Sequence, residues 1–210
     1  LVQMIILISV LVGGLPAATD MFAGEKERNT MEALLMTPVK RIHILVGKWL
    51  TISTLNIMSG IFSVLSLVIV IQFFTTHLKE ALDLSNHLTY FVGGLSAGII
   101  VFSLLIAALQ MVLSIIARTV KEAQSYITPI TFLAMIPYFL LVDISPYEMT
   151  TTYFIIPFMN VTALIKQLVY GVYEMTNILL VVGSSAVFIA IIFAIGAFMF
   201  SKSKWVLGRS

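Results

Sequence analysis

Gly24-Glu-Lys-Glu-Arg-Asn-Thr-Met-Glu-Ala-Leu-Leu-Met-Thr-Pro-Val-Lys-Arg-Ile-His-Ile-Leu-Val-Gly-Lys48 carries eight of the 22 Asp, Glu, Lys and Arg residues of this 210-residue chain. Leu1–Ala18 before it and Leu50–Phe74 after it carry none. Charge is excluded from hydrocarbon, and a membrane-spanning helix needs roughly 20 mostly apolar residues. The stretch therefore reads as a charged loop joining two spanning helices.

The rest of the chain agrees. Hydrophobic residues make up 60% and charged residues 10%, against about 25% charged in a soluble domain. Lipid is the solvent that such a composition requires. Three more segments read as spans: Phe91–Ala117, Tyr126–Val142 and Ile178–Phe200. The fourth span is short and holds Pro129 and Pro137, which neighbouring helices can accommodate by satisfying the freed backbone groups. Phe154–Tyr173, with Pro157 and Asn160, is too polar for a span and predicts a short helix lying at the outer face or dipping in and returning. The expectation is an all-α fold: a polytopic membrane helix bundle, one transmembrane domain over residues 1–210, with a cytoplasmic loop at 20–48. Leu1–Val12 has no basic residue ahead of it and no cleavage site of the signal-peptide kind. It reads instead as a helix entered partway, in the C-terminal part of a longer chain with at least one helix upstream.

Basic residues orient the bundle. Lys26, Arg28, Lys40, Arg41, Lys48, Arg118, Lys121, Lys202, Lys204 and Arg209 fall on one set of loops and the tail, and only Lys79 and Lys166 on the other. Ten against two places the first set, with residues 20–48 and the C-terminus, in the cytoplasm. Asp83, Asp143, Glu148 and Glu174 fall on the outer side.

Several chemistries are excluded or disfavoured. Cysteine is absent, so disulfides and thiolate sites are too. A net charge of +2 gives no case for nucleic acid. His43, His77 and His87 share no metal-ligand spacing, and no catalytic motif occurs. The predicted spans contain no Asp, Glu, Lys, Arg or His, which argues against an ion-coupled transporter or proton pump. Asn56, Gln72 and Gln110 are strongly polar groups inside them. They read as interhelical hydrogen-bonding partners or, alternatively, as contacts along a translocation path. Gly94 with Gly98, and Ala186, Ala190 and Ala194, are small residues at helical spacing. They suit close packing within the bundle or a dimer seam. Asn160-Val161-Thr162 fits a glycosylation sequon.

Residues 25–48 accommodate two short helices. In the first, Glu25–Arg28 is an i,i+3 pair and Arg28–Glu32 an i,i+4 pair, with Met31, Leu34 and Leu35 on an apolar side. Thr37 then reads as the N-cap of a second helix with Pro38 at its first position. Val39, Ile42, Leu45 or Val46, and Trp49 recur at helical spacing, and Lys40, Arg41 and Lys48 suit anionic lipid headgroups. From the residues alone this is either a solvated interfacial connection or an element that docks into a partner.

The order Glu27-Arg28-Asn29-Thr30-Met31-Glu32, Leu34-Leu35, Thr37-Pro38, Lys40-Arg41, Gly47-Lys48 resembles the cytoplasmic loop of ABC-type exporter permeases of the type 2 membrane family. In that family, glycine is usual where Asn29 stands. Asn also tolerates left-handed backbone. Pro157 and Asn160 ahead of an amphipathic stretch, then Gly171, resemble the segment before the family's last helix. The wording of Gly24–Pro38 is most similar to the sodium-efflux subgroup. The resemblance implies a multi-pass permease of a bacterial cell membrane, pairing with a separate ABC-type ATPase subunit. This chain would bind no cofactor, with ATP and Mg²⁺ held by that subunit. The loop would be the coupling helix, with Glu25, Glu27, Arg28, Thr30, Glu32, Leu35, Pro38 and Arg41 as the ATPase-coupling residues. Two permease chains, as a homodimer or pseudo-dimer among membrane lipids, would enclose the path, and Na⁺ would be a candidate substrate. Without the resemblance, a passive channel or scaffold and, more remotely, a membrane-embedded hydrolase using Glu25 or Glu27 also fit.

Overall fold

The computed structural model describes residues 2–74 and 88–202. Lys79, Asp83, His77, His87, Lys204 and Arg209 lie outside them, as does the side chain of Gln72. In chain order the helices are α1 (Val2–Gly13), α2 (Leu15–Thr19), a π-helical turn (Asp20–Gly24), α3 (Glu25–Glu27), α4 (Thr30–Leu35), α5 (Arg41–Phe74), α6 (Leu88–Ile116), α7 (Val120–Leu141), α8 (Met159–Val169) and α9 (Met175–Ser201). The described residues contain no strand. Among the described residues, five helices are long and apolar enough to cross a membrane: Gln3–Glu27, Arg41–Ser66, Gly93–Ile116, Val120–Leu141 and Met175–Ser201. The chain is thus a polytopic helical membrane bundle, as expected.

Two boundaries differ from the sequence reading. The first span does not end near Ala18 but carries on through the π turn to Glu27, taking Asp20, Glu25 and Lys26 onto its end. The second does not follow a separate interfacial helix. Thr37 caps nothing; its hydroxyl donates back to the Leu34 carbonyl at 2.7 Å and closes the end of α4. A helix then starts at Arg41 and runs unbroken to Phe74. The residue before a proline avoids the helical region, so Thr37-Pro38 ends α4 more readily than it begins a new helix. Leu45, Ile52 and Asn56 continue one buried stripe, which makes Ile42–Trp49 the foot of a span.

α6 is the central helix. Of its most apolar window 67% is buried inside the protein, against 11% for α9, which faces outward. Gly94 and Gly98 let α8 approach α6: a Cβ on Gly94 would come 2.9 Å from Leu168, and one on Gly98 3.6 Å from Leu164. These two glycines therefore serve packing within the chain. Ala186, Ala190 and Ala194 are exposed along α9.

α8, at about 16 Å long, is too short to span a hydrocarbon core of about 30 Å. Asn160–Leu168 is buried throughout, so this helix dips into the bundle rather than lying on its face. Phe158 enters it with φ 67°, and Gly171 leaves it with φ 78°. The Val172 amide returns to the Gln167 carbonyl (2.9 Å) and the Gly171 amide to that of Leu168 (3.2 Å), the double closure that a glycine just past a helix end permits. Polar groups on α8 are all spoken for. The Lys166 ammonium donates to the carbonyls of Leu141, Val142 (2.9 Å) and Ile144 (2.7 Å) at the end of α7. Gln3 donates to the Thr162 carbonyl at 2.6 Å. Asn160 donates to Ser184 and Ser185 on α9 at 3.1 and 2.7 Å and is fully buried. The sequon reading is therefore corrected: Asn160 is a packing residue with no access for a glycosyl donor.

Candidate coupling site

The charged end of the bundle begins with local backbone. Asn29 adopts φ 57°, ψ 21°, the left-handed conformation. Asn is one of the few side chains that bears it, so the turn normally made by glycine survives. The Thr30 hydroxyl donates to the Glu25 carbonyl at 3.2 Å across that turn. α4 then packs down through its apolar side: Met31 is buried, and Leu34 and Leu35 lie against the core formed by Phe22, Leu45, Met111, Ile115 and Phe200. The opposite side of the hairpin faces out. Thr30, Glu32, Ala33, Met36, Thr37, Pro38 and Val39 are exposed, and Met36 is 87% exposed.

The expected Glu25–Arg28 pair gives way to other partners. Arg28 reaches back across the π turn and holds Asp20 with two hydrogen bonds, 2.7 and 3.1 Å, and that carboxylate raises the guanidinium above its ordinary pKa. The left-handed Asn29 also interrupts the helix that an Arg28–Glu32 pair requires. The Glu25 carboxylate is taken by Lys48 of α5. Glu27 Oε2 accepts from the Val120 amide at 2.9 Å, at the start of α7. Arg41 donates to the Ser201 carbonyl at 2.8 Å, where α9 ends.

Lys48 does not face lipid headgroups, as its position in the sequence suggests. It turns inward, donating to Glu25 and to the Met21 carbonyl and lying 4.8 Å from the centre of the Phe22 ring. Lys26 is more than a topological marker. Its ammonium donates to the carbonyls of Ile115 and Ala117 (3.1 Å) at the end of α6. Charge sign alone points to neither role, because both partners are distant in sequence.

Deeper in, α1 breaks at Gly14, and the freed amide donates to Asn56 Oδ1 at 2.6 Å. Asn56 Nδ2 donates to Gln110 Oε1 at 3.3 Å, and Gln110 Nε2 donates to the Leu11 carbonyl at 2.9 Å. Asn56 and Gln110 are brought together between α1, α5 and α6, both buried and both used in interhelical bonding. Among the described residues no group of three or more metal-ligating side chains occurs.

Residues 2–205 match the family described as ABC-2 family transporter protein. The chain belongs to the ABC-2 transporter family. A member of similar sequence, the ABC transporter permease protein NatB of Bacillus subtilis (strain 168), is 42% identical over 209 residues, which are 100% of this chain and 54% of that protein. The chain thus spans about half the length of this curated ABC-2 relative. No solved structure matches it significantly.

Proposed function

We propose that this chain is the membrane-spanning permease part of an ATP-driven ABC exporter, and that the exposed side of α4 with the following turn is where a separate ATPase subunit docks. The observation that carries the reading is the pairing of family membership with a hairpin that is fastened inside and open outside. A bundle whose charges gather at one end is suited to take its energy from beyond the membrane, and α4 is the element offered there. Of the coupling residues inferred from the resemblance, Thr30, Glu32 and Pro38 are exposed and suited to direct contact. Glu25, Glu27 and Leu35 face structure within the chain and would act by holding the hairpin.

Sidedness follows the same logic. Lys26, Arg28, Lys40, Arg41, Lys48, Arg118, Lys121 and Lys202 belong to the end of the bundle that carries α4, and Lys166 to the opposite end. The excess of basic residues supports a cytoplasmic α4. Two permease halves would enclose the path, and Na⁺ is the substrate we put forward, on the likeness of Gly24–Pro38 to the sodium-efflux subgroup.

The test is co-purification of the full-length protein with its ATPase, followed by ATP hydrolysis measured with and without Na⁺ and against a lipid panel. Charge reversal at Arg28, or at Glu27, should lower the stimulated rate while leaving the bundle folded. Full stimulation in both variants would remove the loop from the mechanism. Ion conduction by purified protein in liposomes without any ATPase would favour the passive-channel alternative.

A further inference from the structure

Glu25, Lys26 and Glu27 are consecutive on a single helical turn, so their side chains leave the axis about 100° apart. Each engages a different spanning helix. Glu25 holds Lys48 on α5, Lys26 holds the Ile115 and Ala117 carbonyls at the end of α6, and Glu27 accepts from the Val120 amide at the start of α7. The turn is itself the end of the first span. Beside it Ala23, Ala117 and Ala123, all fully buried, pack as a cluster of their own. Methyl side chains there let the π turn, the end of α6 and the start of α7 touch. The Ala23 amide also donates to Ser114 Oγ at 3.3 Å.

We propose that Glu25–Glu27 is a three-way junction that binds α4 to the foot of α5 and to the α6–α7 turn, so that a push on α4 moves the near ends of the first four spans as one body, with Lys26 as the positioning residue. The inference rests on the coupling role given above and adds to it where the force goes. α6 ends with open carbonyls that carry the negative end of its dipole. An ammonium seated on them is a strong attachment that an uncharged side chain of similar length cannot reproduce.

The chain holds no cysteine, so spin labels can be placed on introduced ones. Ala33 on α4, Lys121 on α7 and Tyr170 beyond α8 are all exposed. In the permease–ATPase complex, the Ala33→Cys/Lys121→Cys distance should stay the same between the nucleotide-free state and a non-hydrolysable ATP analogue. The Ala33→Cys/Tyr170→Cys distance should change. Adding Lys26→Met should broaden the first distribution and make it respond to nucleotide, and Lys26→Arg should restore it. The proposal is overturned if the Ala33–Lys121 distance moves with nucleotide in the unmodified background, if neither distance moves, or if Lys26→Met leaves the distribution sharp. The unmodified background decides the matter even if Lys26→Met does not fold. A wild-type protein that retains no ATPase at all overturns the exporter reading itself, a result distinct from a complex that forms and fails the distance test.

Discussion

The Gly14 amide donates to Asn56 Oδ1 at 2.6 Å, and a Cβ on Gly14 would lie 2.5 Å from that same oxygen. The break in the first span and the polar side chain on the second are one feature. Gly14→Ala should therefore destabilise the bundle by about 1–3 kcal/mol, the usual cost of overpacking. Gly47, in the foot of α5, would meet nothing within 4 Å of an added methyl group. Gly47→Ala should be neutral or stabilise by up to about 1 kcal/mol through helix propensity. Thermal unfolding in detergent compares the two, and equal midpoints would contradict the geometry.

Lys166 fastens α8 to the end of α7 through three carbonyls. Lys166→Met leaves those oxygens without their donor, at a cost of about 1–3 kcal/mol. Lys166→Arg, which keeps the charge, should cost less. Protease accessibility of the segment between α7 and α8 reports the loosening before global unfolding does.

Asn29 tests the backbone of the turn ahead of α4. Asn29→Gly should be tolerated, since glycine adopts φ 57° freely. Asn29→Val should cost about 1–2 kcal/mol for a left-handed β-branched residue, and it should lower ATPase stimulation by misaiming α4. An Asn29→Val protein with wild-type stability and stimulation would show that this turn geometry is dispensable.

Met36, at 87% exposure, contributes almost nothing to the fold of the isolated chain. Met36→Asp should leave the thermal midpoint unchanged and weaken retention of the ATPase subunit about tenfold or more, the loss of one well-buried apolar contact. Retention equal to wild type would move the docking surface elsewhere on the hairpin.

The helices are legible in the sequence because long uncharged apolar runs need no tertiary information. α8 is legible as a non-spanning helix because Asn160, Lys166 and Gln167 are too close together for lipid. What local pattern conceals is the start of α5. Arg41 and Lys48 look like headgroup ligands until their partners, the Ser201 carbonyl and Glu25, are brought in from elsewhere. Ordinary helical spacing gives Arg28 the wrong partners, and the π turn that brings Asp20 within reach has no sequence period to announce it. The Asn56–Gln110 contact is readable as interhelical bonding in general. The part played by Gly14 is not, since a break in a backbone shows only once the chain is folded.

Buried among α6, α7 and α9, α8 carries a lysine, an asparagine and a glutamine that lipid would reject. It has no route into the bilayer by partition. Its partners include carbonyls at the end of α7, made before it in the chain, and Ser184 and Ser185 on α9, made after it. The slot that satisfies this segment is therefore complete only when both α7 and α9 are in place. α9, which follows α8 in the chain, thus supplies the serines that satisfy Asn160, and a chain truncated before α9 would leave that buried asparagine without them.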